Sequence, residues 1–244
     1  HTGAVRKSAV MEFWIKLMHS GVFVCYVYGL YYDVKPPAGS EYESVFWAMG
    51  GRFKYLTFID ALLQCGFFGL CVLNDFFGSN TMTLSRQSSL QKLRDWLFTS
   101  LVFPMGVFVS FIFWALYAFD RELIFPASLD EWFPSWLNHI MHTLPVIGTI
   151  LEMYMVYHFY LKGWKLYVPI LVAYFLYLSW ICYIAYAGGI WVYPVFEVLD
   201  FTGRTLFLAA LLLPNLLFVF LGQKLHHRVW GSPKEQTKRK GKKE

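Results

Sequence analysis

The sequence predicts an all-α, polytopic transmembrane bundle of about six spans with both termini in the cytosol. Three observations carry that reading. The 244 residues are 57% hydrophobic and 20% aromatic with only 15% charged, far from the makeup of a soluble domain. Apolar runs of about 20 residues, the length that crosses a bilayer, recur along the chain. Lysine and arginine are segregated between alternate connections, as the positive-inside rule requires.

The runs fall at residues 11–32, 53–77, 96–119, 132–161, 166–187 and 205–221. Residues 1–10 read as an N-terminal extension ahead of a start at Met11. The run that follows is too long for a signal peptide and lacks a small-residue cleavage pattern. Pro36-Pro37 and Gly39 mark the first connection. Residues 78–95, rich in Ser and Thr, form the second, the acidic stretch 120–131 with Pro126 the third, and Lys162-Gly163-Trp164-Lys165 a short fourth. With no internal repeat and no room for a soluble domain, residues 11–222 form one bundle and residues 223–244 a basic cytosolic tail. Cys25, Cys65, Cys71 and Cys182 sit in apolar runs without C-x-x-C spacing, so neither a disulfide framework nor a zinc ribbon is indicated and packing is the expected role.

Of the 21 basic residues, only Lys35, Arg52, Lys54, Arg121 and Arg204 fall on the odd connections. That asymmetry directs the odd connections outward or into a lumen, in the plasma membrane or the endoplasmic reticulum. The tail from Lys234 to Lys243 faces anionic lipid, is simply solvated, or carries a retrieval signal. Nothing resembles a nucleic-acid-binding module.

Polar side chains inside the apolar runs carry the functional reading. Residues 136–143, WLNHIMHT, place Asn138, His139 and His142 on overlapping helical faces. Ionisable groups at membrane depth turn toward a bundle interior or a wet cavity, so a site competes here with plain helix-to-helix packing. In the predicted topology Thr57 and His142 both lie about 8 to 12 Å below the outer surface. A hydroxyl becomes a nucleophile when a neighbouring base takes its proton, and histidine is the usual base.

Several short stretches resemble the family of the androgen-induced gene 1 and androgen-dependent TFPI-regulating proteins. They are KYLTFID at 54–60, RDW at 94–96, FP at 103–104, FW at 113–114, DRE at 120–122, WLNHIMHT at 136–143 and WVYP at 191–194. Each is weak alone, but together they cover most of the chain in order. The resemblance implies a multispan membrane hydrolase of fatty acid esters of hydroxy fatty acids, with Thr57 as nucleophile and His142 as base. No cofactor and no metal are implied, and the expected partners are the lipid substrate and membrane lipid.

Around that pair, Asp60 is a candidate for orienting His142. Asn138 and His139 are candidates for oxyanion donors, on the expectation that mid-helix amides are already bonded. Arg52 and Lys54, beside Thr57 toward the outer surface, would bind the substrate carboxylate or merely anchor the helix. Glu152, about 15 Å deeper than His142, reads as part of a structural pair or a wet cavity. His158 and the His226-His227 pair read as interfacial at the cytosolic end. A lipid or solute transporter lined by Asp60, Glu152 and the histidines is the alternative, and a metal enzyme built on His139 and His142 a weaker one.

Overall fold

The computed structural model describes residues 2–32, 36–39, 43–44, 47 and 49–231. Lys35 and the tail residues 232–244 lie outside the described residues. The bundle contains α1 (Thr2–Tyr31), α2 (Leu56–Phe77), α3 (Ser89–Leu97), α4 (Phe103–Asp120), α5 (Ser135–His142), α6 (Leu144–Met155), α7 (Val168–Gly188), the one-turn α8 (Val195–Val198) and α9 (Phe201–Trp230). No strand occurs among the described residues. Among the described residues, five stretches are long and apolar enough to cross a membrane: Ala9–Tyr31, Leu56–Phe77, Ser89–Leu123, Val168–Gly188 and Phe201–Trp230. Their outward faces expose Val24, Val172, Phe175, Leu176, Leu213 and Leu217. A surface of that kind is paired with lipid rather than water, and the protein is a multi-pass integral membrane protein.

The structure redraws three of the expected runs. The third begins at Ser89, because the Ser88 hydroxyl caps the helix by accepting from the Gln91 N–H at 3.2 Å. Gln91, Arg94 and Asp95, expected in a loop, are therefore helical and buried. A π-helical turn at Phe98–Val102 joins α3 to α4 within the same rod. The fourth run is not one span. Pro145 has no N–H to offer the preceding turn, so the chain breaks at Thr143 and continues as α6. Beyond Met155 it leaves helical geometry, and residues 157–162 pass through the protein without regular structure.

Three apolar clusters hold the helices. Val22 and Tyr26 of α1 meet Phe67, Phe68 and Cys71 of α2, with Leu137, Met141 and Met153. Met105, Phe108 and Val109 of α4 pack on Ile170 of α7 and on Phe218 and Val219 of α9. Ile181 and Ile184 at the end of α7 meet Val192, Val195 and Phe196. Gly106 allows the close crossing: a Cβ there would sit 2.5 Å from Gln64 Nε2 and 3.3 Å from Pro145. The last helix also outruns its expected bounds. Asp200 caps it, accepting from the Gly203 N–H at 2.7 Å, and it continues to Trp230, where Gly231 turns away at a φ of 82°.

Candidate active site

The site is built first from the start of α2. Gly50 takes a left-handed φ of 86°, which glycine adopts without penalty, and its missing side chain makes room for Trp180, 2.7 Å from where a Cβ would stand. A 3-10 turn, Gly51–Lys54, leads into α2. Tyr55, at the N-cap, has no side-chain cap. Two tyrosines from elsewhere supply it: the Leu56 N–H donates to Tyr177 Oη at 3.0 Å and to Tyr193 Oη at 2.9 Å. The Tyr177 hydroxyl donates in turn to the Lys54 carbonyl at 2.9 Å, so the proton of Tyr193 points at Tyr177, 3.0 Å away.

Thr57 is the second residue of that helix. Mid-helix amides are bonded, but first-turn amides have no intrahelical acceptor. Among the described residues neither the N–H nor the hydroxyl of Thr57 is engaged, whereas Phe58 and Ile59 both donate to the Tyr55 carbonyl. The expectation that oxyanion donors must be side chains therefore fails here: Thr57 has a free amide of its own.

His142 ends α5, at the break created by Pro145. Its ring stacks on Phe113 with centroids 3.5 Å apart and planes within 10°. The neighbouring Trp114 donates through Nε1 to the His142 carbonyl and to Thr143 Oγ1, both at 3.2 Å. His142 Nδ1 lies 2.6 Å from Asn138 Oδ1 and 3.0 Å from the Asn138 carbonyl. The backbone oxygen can only accept, so Nδ1 carries the proton and Nε2 keeps its lone pair. Asn138 thus acts through His142, fixing its tautomer and its plane.

Thr57 and His142 line one cavity of about 600 Å³, together with Arg52, Tyr55, Glu122, Tyr193 and Glu197. That volume lies within the usual range for a small-molecule site, about 300–1,000 Å³. A second, narrower cavity of about 100 Å³ runs between α4, α7 and α9 with an almost wholly apolar lining. Thr57, Phe113, Ile124 and Tyr193 line both. Thr57 is therefore on the wall where the two spaces meet. Among the described residues no hydrogen bond joins it to His142, whose Nδ1 is held by Asn138.

The other sequence-derived candidates divide. Arg52 lines the larger cavity and lies over the Phe58 ring. Lys54 is fully buried, off the cavity wall and over the Tyr55 ring, and burial lowers its ammonium pKa to about 8. Asp60 is buried and accepts from Gln64 Nε2 at 3.1 Å, without a bond to His142. His139 is exposed, bonded through Nδ1 to Thr143 Oγ1 at 3.0 Å and stacked on Trp114. Arg121 pairs with Asp130 in the loop, and Arg204 donates to the Phe196 carbonyl.

Sequence reading missed the contributions of Phe113, Tyr177 and Tyr193, which come from residues distant along the chain. Apolar aromatics in a span give no signal of stacking on a particular imidazole. It also passed over His19, and it misplaced His158 and His226. Both of those are buried rather than interfacial, with the His158 N–H donating to His226 Nε2 at 3.1 Å. Among the described residues one set of His, Cys and carboxylate lies close enough to share an ion, His19, Cys71 and Glu152, and it is at the other end of the bundle from Thr57.

Residues 15–227 match the family described as FAR-17a/AIG1-like protein. The chain is 38% identical over 200 residues to androgen-induced gene 1 protein of Homo sapiens, covering 79% of this chain and 84% of that protein. It is 36% identical over 218 residues to androgen-dependent TFPI-regulating protein of Rattus norvegicus, covering 88% and 93%. A more distant likeness, 24% over 165 residues, is to UPF0641 membrane protein PJ4664.05 of Schizosaccharomyces pombe, covering 65% and 67%. No solved structure matches.

Proposed function

This chain belongs to the FAR-17a/AIG1-like family, and we propose that it is a membrane-embedded threonine hydrolase that cleaves fatty acid esters of hydroxy fatty acids. The observation that carries the reading is the place of Thr57, on the wall common to two cavities, with the histidine base lining the larger. An ester of this class has a plain acyl chain on its carbonyl carbon and, joined through the ester oxygen, a hydroxy fatty acid arm that carries a carboxylate. The narrow cavity suits the plain acyl arm. The larger cavity, with Arg52 on its wall, suits the arm that carries the carboxylate.

The chemistry follows from the groups left uncommitted. His142 Nε2 takes the proton of Thr57 Oγ1 as that oxygen attacks the ester carbonyl. Negative charge then develops on the carbonyl oxygen, and the free Thr57 N–H at a helix start is a donor for it. The imidazolium donates through Nδ1 to Asn138 and returns the Nε2 proton to the departing alkoxide, which leaves as the hydroxy fatty acid. Water, deprotonated by the same nitrogen, attacks the acyl-threonine, releases the fatty acid and restores the hydroxyl.

The test is hydrolysis of a branched fatty acid ester by the purified protein in detergent, with an acyl-trapping phosphonate probe in parallel. Wild type should hydrolyse the ester and take the label at Thr57, and the rate should fall on acidification because protonated Nε2 accepts no proton. Unchanged hydrolysis and labelling in folded Thr57→Ala and His142→Ala proteins would overturn the assignment.

A further inference from the structure

The carbonyl oxygen that gains charge as Thr57 attacks has the Thr57 N–H beside it, and sites of this kind stabilise such an oxygen with more than one aimed donor. Four residues form the wall common to both cavities. Phe113 and Ile124 have no polar side-chain group, and the other two are Thr57 and Tyr193. We propose, as an extension that rests on the hydrolase reading, that Tyr193 is a further catalytic residue, its hydroxyl donating to the ester carbonyl oxygen as that oxygen becomes negative.

The start of α2 sets the distance. Tyr193 Oη is 2.9 Å from the Leu56 nitrogen. In helical backbone the next nitrogen, that of Thr57, stands about 2.8 Å farther on with its N–H roughly parallel. An oxygen seated on the Thr57 N–H at ordinary hydrogen-bond length therefore stands about 3 Å from Tyr193 Oη, within reach of its proton. Tyr177 is placed differently. It lines the narrow cavity and not the one that His142 lines, so of the two hydroxyls it is Tyr193 that faces the attacked carbonyl.

The hydrogen bonds leave that proton able to turn. Tyr177 gives its own proton to the Lys54 carbonyl at 2.9 Å, and the Leu56 N–H donates to both hydroxyls. The Tyr193 proton has no backbone acceptor and rests on Tyr177 Oη, 3.0 Å away. Rotation about the phenol C–O bond carries it from Tyr177 to the substrate oxygen and breaks no other contact. No proton is transferred in the exchange. When the tetrahedral centre collapses, the C=O bond re-forms, the departing alkoxide takes the proton on His142 Nε2, and the Tyr193 hydroxyl turns back. Desolvation pushes the Tyr193 phenol above its ordinary range, so it meets the developing charge as O–H.

The ring itself is fixed before substrate arrives. It packs edge-on against Tyr55 with centroids 6.2 Å apart and lies 6.3 Å from Phe196. The Phe196 N–H donates to the Tyr193 carbonyl at 3.0 Å, and Pro194 restricts the backbone on the other side of that bond. Only the hydroxyl hydrogen moves, which is the condition for a donor to act without reorganisation cost as charge appears.

The test compares a branched ester with its thiono analogue, in which sulfur replaces the carbonyl oxygen and accepts hydrogen bonds only weakly. In full-length protein purified in detergent, Tyr193→Phe should lower kcat for the oxygen ester by about 10²- to 10³-fold, the effect of losing one such donor, with little change in KM. The thiono ester has less to lose, so the ratio of the two rates should fall by about tenfold or more. Tyr177→Phe removes more contacts from the start of α2 and should lower the melting temperature at least as much, yet leave that ratio at its wild-type value. If Tyr193→Phe fails to fold, 3-fluorotyrosine at position 193 keeps the hydroxyl and its contacts, and its more acidic phenol should raise the ratio about twofold. A ratio that neither change at position 193 moves, or equal falls in the two phenylalanine variants, would overturn the proposal and leave Tyr193 as a cap for the helix. Thr57→Ala separates this from the hydrolase reading. Abolished hydrolysis there beside an unmoved ratio at position 193 overturns the tyrosine alone, whereas surviving hydrolysis in Thr57→Ala overturns the mechanism it serves.

Discussion

The two polar centres of this bundle contain similar residue types and treat them in opposite ways. At the Thr57 end, the hydroxyl and amide of Thr57 and the Nε2 of His142 are uncommitted and face a cavity, while their supports are fully engaged: Asn138, Phe113, Trp114 and the tyrosine pair. At the other end, His19, Asp75, Asp95, Glu152 and Arg94 are engaged with one another. Burial alone does not mark a reacting group in a membrane protein. The mark is a lone pair or donor left free on a residue whose other atoms are held.

The sharpest way to break that comparison is to remove the free group at one end. Thr57→Ala should lower turnover of a branched ester by about 10⁶-fold, as when a nucleophile is removed from a site whose groups act as a unit, with little change in melting temperature. Comparable loss of stability with little loss of rate would reverse the roles assigned to the two ends.

The complementary substitution is Glu152→Gln. Breaking a buried ionic network by removing one partner costs about 3–5 kcal/mol, and a marginally stable protein shows that as a lower melting temperature or poor recovery. Turnover per folded molecule should stay near wild type, because nothing connects Glu152 to the cavity. A selective loss of turnover at unchanged thermal stability would place Glu152 in the reaction.

How much of this was legible beforehand depends on what kind of signal each residue gives. The helical class followed from composition, and the polar interruption at 136–143 stood out because hydrocarbon does not accept an amide and two imidazoles without cause. Thr57 became visible only beside a histidine at the same depth. The break at Thr143 was hidden inside an apolar run despite Pro145. Arg94 was read as a solvated cation of a cytosolic loop because a positive-inside count treats every lysine and arginine near a span end that way, and His158 was read as interfacial at the same end. In the structure Arg94 Nη1 donates to Asn80 Oδ1, and Nη2 bonds Asp95 at 2.8 Å. The segment after α6 folds back to bring His158 beside it, a long-range return that no local pattern announces.

A smaller effect should come from Asn138→Leu, which asks whether the free Nε2 depends on its support. The side-chain amide is lost, but the backbone carbonyl of residue 138 still accepts from Nδ1 at 3.0 Å. The penalty should therefore be about tenfold in kcat, well short of the roughly 10⁴-fold loss that follows when a catalytic imidazole is forced into the wrong tautomer. Asn138→Asp should restore most of the rate, since a carboxylate accepts from Nδ1–H as well. If Asn138→Leu changes KM alone, the amide contacts substrate instead of holding the base.

The smallest expected effect concerns Arg52, and it tests how the two cavities share a substrate. Arg52 lines the larger space with Glu122 and Glu197, so the wall there carries both signs, and a guanidinium among them favours a carboxylate through paired hydrogen bonds. Lys54 is off that wall, which leaves Arg52 as the cation of the original pair positioned to take part. A contact made equally in the ground and transition states raises KM when lost and leaves kcat alone. Arg52→Ala should therefore raise KM for a free-acid ester by about tenfold, the worth of one charge-assisted contact near 1.5 kcal/mol, and leave the methyl-capped ester unaffected. Arg52→Lys should recover only part of the difference, because an ammonium lacks the planar fork. If both substrates weaken together, Arg52 is holding the start of α2 in place and the carboxylate is bound elsewhere.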